Sequence, residues 1–590
     1  MLHWEDRLLV TLRWEGALHI LSRLSGCRRT CSWRIILSKG AGRAVKLCVD
    51  VRRLSRPLLS THGRNLFRAV TVAVIVLSPA SASWAYSHQT SKVRFREYSP
   101  EAFETARREG KPVFLLISAV WCYWCKYFHQ HTLGSDEVST YLNRNYLSIF
   151  VDHDRHTDLT RKYARGLPTI VLFDPDGQVR QSFAGVLKKE DFLDVLNRVA
   201  NDVRTNVAAG QPRKPRIEPL VIPDPVPVTR ETYQQLHQGM LDFLNDHLDP
   251  VHGGFGRREK YPHARLLRYL LAQYDAARDR HYLVAVERSL DGILRGLYDP
   301  VEGGFFRYAE GREWRPPHYE KLLDVNASLA LVFSETYRVT QNLRYKEAAE
   351  ATVTYLRRTL YDAKGGGFYG SQTADPTYYG LTPLARRAAR KPPVNRDKVT
   401  AWNAEAALTF LMLGESAGRK DLVDVALRTL DFMRRDLITE KGVFQLYEFK
   451  MGRGQLPGQL EANAWAALAF LEGYRVSQAE TYRHAAEQVL GYAKAELFDT
   501  AHGVFVDNRD SSFSLGANGI MAEALIRAHR LSGRAEDLEI AKRVLAALGG
   551  VAHALLVEDA DAVAVTRVAD AVFYLAAYGR VAGKPLDGGR

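Results

Sequence analysis

One phrase recurs along the C-terminal part of the chain. It reads Leu248-Asp-Pro-Val-His-Gly-Gly-Phe255, then Tyr298-Asp-Pro-Val-Glu-Gly-Gly-Phe305, then Tyr361-Asp-Ala-Lys-Gly-Gly-Gly-Phe368. Weaker copies stand at Ile438-Thr-Glu-Lys-Gly-Val-Phe444 and Phe498-Asp-Thr-Ala-His-Gly-Val-Phe505, so the copies lie about fifty to seventy-five residues apart. The Ala-, Leu- and Arg-rich intervals have helical periodicity, and most have room for two helices. A period of this length specifies stacked supersecondary units that bury their faces against their neighbours. From about Thr229 onward, helix pairs of this kind can form an open solenoid or a closed toroid. Aromatic, Gly-rich loops returning on one side favour closure around a pocket whose mouth they line. The expected architecture over residues 230–580 is therefore an all-α (α/α)6 toroid.

The whole chain has 590 residues, too many for one hydrophobic core, and with 46% hydrophobic and 25% charged residues it is neither disordered nor a polytopic membrane protein. Its net charge of +14 suggests nucleic acid until it is located. Residues 1–82 hold fourteen Lys and Arg against four Asp and Glu, so the remainder carries only +4. The basic character belongs to a leader, and no nucleic-acid partner is expected. Within that leader (1–85), Arg64 and Arg68 precede the apolar run Ala69–Leu77 and the small-residue stretch Ser78–Ala85. This is the pattern of a secretory signal at about 63–82, displaced from Met1 by an upstream start or a long leader. Nine apolar residues fall short of the ~20 of a spanning helix, so the expectation is an exported, periplasmic or otherwise extracytoplasmic protein, membrane-anchored only if the leader is uncleaved. Of five cysteines, Cys27, Cys31 and Cys48 lie in the leader; a processed chain keeps Cys122 and Cys125. One local pair and no stray thiol indicates a dedicated dithiol in an oxidising compartment.

Residues 90–203 have the texture of a compact α/β domain. Ser99-Pro100 opens a helix, Val113–Ile117 is a buried strand, and Tyr146–Val151 is another. Thr169–Phe173 turns through Asp174-Pro-Asp-Gly177 into a hairpin, and an amphipathic helix from Lys188 closes the unit. A linker at 204–229 follows, with six prolines between Pro212 and Pro227.

Trp121-Cys-Tyr-Trp-Cys-Lys126 sits between a buried strand and a helix start. There the first thiol meets unsatisfied N–H groups and the positive end of the helix dipole, which lower its pKa and expose a thiolate; the second resolves the mixed disulfide. Gly166-Leu-Pro168-Thr169 precedes the next strand as a cis-proline loop would. Two other readings fit the pair: a structural disulfide, and a zinc site with His129, from whose face His131 falls half a turn away. The stretch resembles the thioredoxin superfamily. The resemblance implies a thioredoxin fold with Cys122 as nucleophile, Cys125 as resolving thiol, Pro168 as the cis-proline, and thiol or disulfide proteins as partners. One departure stands out: many thioredoxins carry a buried Asp in the strand before the motif, and this chain has Phe114-Leu-Leu-Ile-Ser118.

Further stretches are Gly253-Gly-Phe-Gly256 with Lys260-Tyr-Pro262, Pro317-His-Tyr-Glu-Lys321 with Asp324, and Asp397-Lys-Val-Thr-Ala-Trp-Asn403. With the N-terminal domain, they resemble the spermatogenesis-associated protein 20-like family of thioredoxin-domain proteins. The resemblance implies a thioredoxin-like domain joined to a six-hairpin glycosidase-like toroid. Chemistry in the toroid needs paired carboxylates for hydrolysis or an acid/base pair, usually His, for epimerisation. Candidate ligand-binding residues are Lys260, His318, Glu320, Asp324, Asp397, Trp402, Asn403 and Glu461, with ion pairs, helix caps and packing aromatics as the competing roles. The expected function is a thiol–disulfide oxidoreductase with a ligand-binding toroid, the candidate ligand being a carbohydrate. The alternatives are a sugar epimerase or hydrolase with an accessory thioredoxin-like domain, and a noncatalytic scaffold. No cofactor and no metal are expected.

Overall fold

The computed structural model describes residues 91–208, 222, 224–507, 512–558 and 565–583, with backbone strands at 9–12, 34–39 and 45–50. Residues 1–82 are a separate unit, in which β1 (Leu9–Leu12), β2 (Arg34–Lys39) and β3 (Val45–Asp50) form an antiparallel sheet in the order 1-3-2. The expected signal segment lies outside the described residues.

The α/β domain is a five-stranded sheet in the order β4-β6-β5-β7-β8: β4 (Phe95–Arg96), β5 (Val113–Ser118), β6 (Leu147–Asp152), β7 (Thr169–Phe173) and β8 (Val179–Ala184). β4, β6 and β5 are parallel, while β7 and β8 are antiparallel additions. Because side chains alternate across a strand, β5 sends Phe114 and Leu116 to one face and Val113, Leu115 and Ile117 to the other. Both faces are covered, which is why β5 reads as an unbroken apolar run. One cover consists of α2 (Tyr123–Phe128), α3 (Asp136–Asn145) and α5 (Lys189–Ala208); the other consists of α1 (Pro100–Glu109) and α4 (Thr157–Tyr163). α1 starts as its sequence dictates, with Ser99 capping the Ala102 amide and Pro100 at the first position. α5 runs to Ala208, five residues beyond the expected domain edge, so the linker begins later. Its far end is tied down: the Val226 N–H donates to Ala546 O (2.8 Å), and Tyr578 Oη donates to Pro227 O (2.9 Å).

Apart from three short helices at Pro376–Tyr379, Pro383–Ala388 and Gly549–His553, twelve long helices among the described residues build the ring that follows. They are α6 (Arg230–His247), α7 (Ala264–Ala277), α8 (Arg280–Gly296), α9 (Leu323–Thr340), α10 (Leu343–Tyr355), α11 (Thr400–Ser416), α12 (Lys420–Asp436), α13 (Leu460–Ser477), α14 (Glu480–Tyr492), α15 (Leu515–Ser532), α16 (Ala535–Ala547) and α17 (Val565–Val581). α7, α9, α11, α13, α15 and α17 each pack on the next, and α17 returns to α7, so six inner helices close a ring. α8, α10, α12, α14 and α16 pair outside the inner helix that precedes each, and α6 packs on α17, so the first helix completes the last hairpin. This is the (α/α)6 toroid. Inner helices such as α13 are buried nearly all round, as helices between two layers must be. Their alanines (Ala462, Ala464, Ala466, Ala467, Ala469) let neighbouring backbones approach.

The recurring phrase always joins an outer helix to the next inner one, so its copies gather at the mouth where the inner helices begin. Each is a tight hairpin: Leu248 bridges Phe255, Tyr298 bridges Phe305, and Tyr361 bridges Phe368. In the second copy, Gly303 and Gly304 have φ of 77° and 78°, and a Cβ at Gly304 would fall 2.7 Å from the Tyr355 ring. Only glycine serves there.

Candidate functional site

The inner helices are parallel, so their first turns converge at one mouth, and the thioredoxin-like domain sits over it. Tyr123 N–H donates to Glu320 Oε1 (3.1 Å). Gln445 Nε2 donates to Asp154 O (3.2 Å), and Gln459 Nε2 donates to Arg155 O (3.1 Å). Arg155 pairs with Glu448 at 2.9 Å, and Arg161 pairs with Asp507 at 2.8 Å and Glu461 at 3.5 Å. The Arg307 guanidinium lies 4.3 Å above the Trp121 ring, whose Nε1 donates to Asp154.

Cys122 and Cys125 are joined by a disulfide. Cys122 is the N-cap of α2, and its Sγ accepts the Cys125 N–H at 3.1 Å. The Leu167–Pro168 bond is cis, and Leu167 packs beside the disulfide. The sequence predicts an exposed thiolate; instead Cys122 is 3% and Cys125 5% exposed. Part of the cover comes from the toroid, whose Leu322, Val325 and Trp402 join Ala119, Trp121 and Leu167 in the apolar cluster around the cysteines. On its other side α2 shows solvent an edge-to-face ladder of Tyr123, Trp124 and Tyr127.

Beneath this lid the inner helices bring together a charged cluster. Arg265 (α7) pairs with Glu405 (α11) at 2.9 Å and approaches Asp570 (α17) at 3.6 Å, its guanidinium lying over Trp465 and Phe573. Burial pushes Asp324 up to about 6, with Glu405 adding to the effect. Burial likewise lifts Asp570 to about 6 against the pull of Arg265, and Asp507 to about 6 against Arg161. His263 is pulled down to about 4 by burial alone. Yet the side chains of Arg265, Glu461 and Asp570 keep 31%, 29% and 44% of their surface accessible. This accessible surface on charged groups of three inner helices marks a hollow where those helices meet.

The predicted residues divide sharply. Asp324, Trp402 and Glu461 are at the mouth. Glu320 is there too, 1% exposed, facing α2. Asp397 accepts the Phe449 N–H (3.0 Å) and is pushed up by burial. His318 is stacked on Tyr308, itself stacked on Tyr261, and pairs with Glu310 at 2.8 Å. Lys260 is fully buried: its Nζ donates to Asp249 (3.0 Å), Gly253 O and Gly256 O. Lys321 with Asp299 (2.7 Å) and Lys398 with Asp362 (2.9 Å) repeat that arrangement in the next two phrases. Burial lowers all three lysines while their carboxylates draw them back.

Asn403, a candidate ligand residue by sequence, is committed elsewhere. Its Oδ1 accepts the Phe368 N–H (2.6 Å), and its Nδ2 donates to Phe368 O and Val399 O. Asn326 does the same with Phe305 and Asn518 with Phe505, while Asn463 accepts from Val443. Each Asn is the fourth residue of an inner helix. The signal was present as Asn followed by Ala or Gly at 326, 403, 463 and 518, a second repeat in step with the first.

Residues 76–172 match the family model described as Thioredox_DsbH, "Protein of unknown function, DUF255". Spermatogenesis-associated protein 20 of Mus musculus is 26% identical over 336 residues, 50% of this chain and 40% of that protein, and the Homo sapiens protein is equally similar over 41% of its length. The match thus takes in about two-fifths of these relatives. Thiol:disulfide interchange protein DsbD of Yersinia pestis is 30% identical over 117 residues, 18% of this chain and 20% of that protein. Among solved structures, a cellobiose 2-epimerase from Spirochaeta thermophila DSM 6192 aligns with a TM-score of 0.46 at 17% identity, covering 53% of this chain and 82% of its own.

Proposed function

We propose that the chain is a thiol–disulfide oxidoreductase whose dithiol works at the mouth of the toroid, so that redox pair and hollow serve one site. The observation that carries this is the packing of the Cys122–Cys125 disulfide on Leu322, Val325 and Trp402, beside the cis-proline loop. In the reduced enzyme, the Cys122 thiolate attacks one sulfur of a substrate disulfide and expels the other as a thiolate. Cys125, losing its proton, then attacks Cys122 Sγ and releases the second thiolate. The substrate gains two electrons, the enzyme disulfide reforms, and an external dithiol donor returns it to the reduced state. The partly accessible charged groups support a polar ligand of carbohydrate class, with half-buried Trp402 for stacking and Asp324, Glu405 and Glu461 for hydroxyl groups. The leader supports export.

The test is Cys125→Ser, which removes the resolving thiol. Mixed disulfides through Cys122 should accumulate on non-reducing gels, and Cys122→Ser should abolish them. Absence of adducts, together with a wild type that does not exchange with glutathione, would reduce the pair to a structural staple. A second reading, a sugar-transforming enzyme, is favoured by Asp324 and Asp570, which at about 6 can donate protons near neutral pH. Sugar turnover that survives in Cys122→Ser would put that reading first.

A further inference from the structure

Glu320 is a toroid carboxylate that hydrogen-bonds to the helix bearing the dithiol, and its setting is unusual. It is 1% exposed, and Oε1 accepts the N–H of Tyr123, the first residue of α2. Oε2 is buried without a hydrogen-bond partner among the described residues. A buried carboxylate oxygen with no donor is costly. It persists here on the positive end of α2, with Lys126 one turn along the same helix. Burial draws Lys126 down to about 8, while Glu320 pulls it back. Other charged or titratable groups around the dithiol are Asp154 and His153 against Trp121, Arg307 above that ring, and Asp324 at the start of α9.

Building on the oxidoreductase reading, we propose that Glu320 is a positioning residue which tunes the dithiol across the domain boundary, opposed by Lys126, and biases the pair toward acting as a reductant. The free N–H groups at the start of α2 would stabilise a Cys122 thiolate. Glu320 takes up one of them and adds a like charge at the helix start that Cys122 caps. A less stable thiolate means a less stable reduced form, hence a dithiol that gives up its electrons more readily. Each turnover moves two electrons from the dithiol to a substrate disulfide, with a dithiol protein as the donor that restores them.

The test uses the full chain, reduced and followed by thiolate absorbance against pH and by equilibration with glutathione, neither of which requires the natural substrate. Glu320→Gln should lower the Cys122 midpoint by about one pH unit, the scale of a single neighbouring charge. It should also move the glutathione equilibrium about tenfold toward the reduced dithiol, ~30 mV for a two-electron couple. Glu320→Asp should restore the wild-type midpoint. Lys126→Met should raise the midpoint, and this variant tests the proposal even if Glu320→Gln fails to fold. Opposite signs are what a purely structural role would not produce. Shifts of the same sign, or none, overturn the proposal. A wild type that never exchanges with glutathione overturns the oxidoreductase reading instead, while the thiolate midpoints still report on Glu320.

Discussion

Asp324 shows what the hollow costs at the level of one side chain. Its carboxyl is held at about 6, against 3.8 for the unperturbed group. As pH rises from about 4 to about 6, the unfolded chain gives up this proton and the folded chain keeps it. Stability therefore falls through that window and stays lower above it. Asp324→Asn, which cannot titrate, should melt at a higher temperature than wild type at pH 7.5, with a gain on the order of 1 kcal/mol once solvent screening is allowed for. At pH 4 the two should melt alike, and an equal gain at both values would sink the argument. Legibility in the sequence divides along the same line. Cys122, Cys125 and Pro168 were readable because each sits in a short local motif. Glu320 was readable as a candidate but not in its role, because its partner Tyr123 is 197 residues away. Lys260 and Asn403 stood out by type and neighbourhood, yet both are consumed in holding loops.

The recurring phrase is an element with its own internal chemistry. In the first copy, burial pushes Asp249 up, but Arg312, the amides of His252 and Val251, and Lys260 outweigh it and hold the carboxyl far below its usual range. Removing one partner of a buried pair leaves a charge without compensation, at a cost of about 3–5 kcal/mol. Lys260→Met should lie near the lower end, since Arg312 remains, and urea unfolding should show the loss while glutathione exchange by the folded fraction is unchanged. Loss of exchange without loss of stability would instead restore Lys260 as a ligand group. Sequence reading found the phrase and the helix pairs because both are periodic. It missed the Asp–Lys pairing because the separations are 11, 22 and 36 residues, set by loops of unrelated length that end at one place in space.

Across the whole molecule, the polar seal between lid and ring includes Arg161 with Asp507 and Glu461. Arg161→Ala removes the cation shared by both carboxylates under the lid, leaving Asp507 with the Leu460 N–H. It should speed alkylation of reduced Cys122 severalfold, measured by mass spectrometry over time; an unchanged rate would mean that the apolar packing alone holds the lid. The closure of the ring by α6 and α17 bears on how the protein is made. A lid built from neighbouring stretches of chain can fold as soon as it leaves the ribosome. The ring has to wait for its final helix, because only then does the circuit of inner helices close and the first helix gain its hairpin partner. During synthesis the two cysteines therefore pass through a period in the open, available to oxidants and exchange partners, before the toroid is complete and covers them.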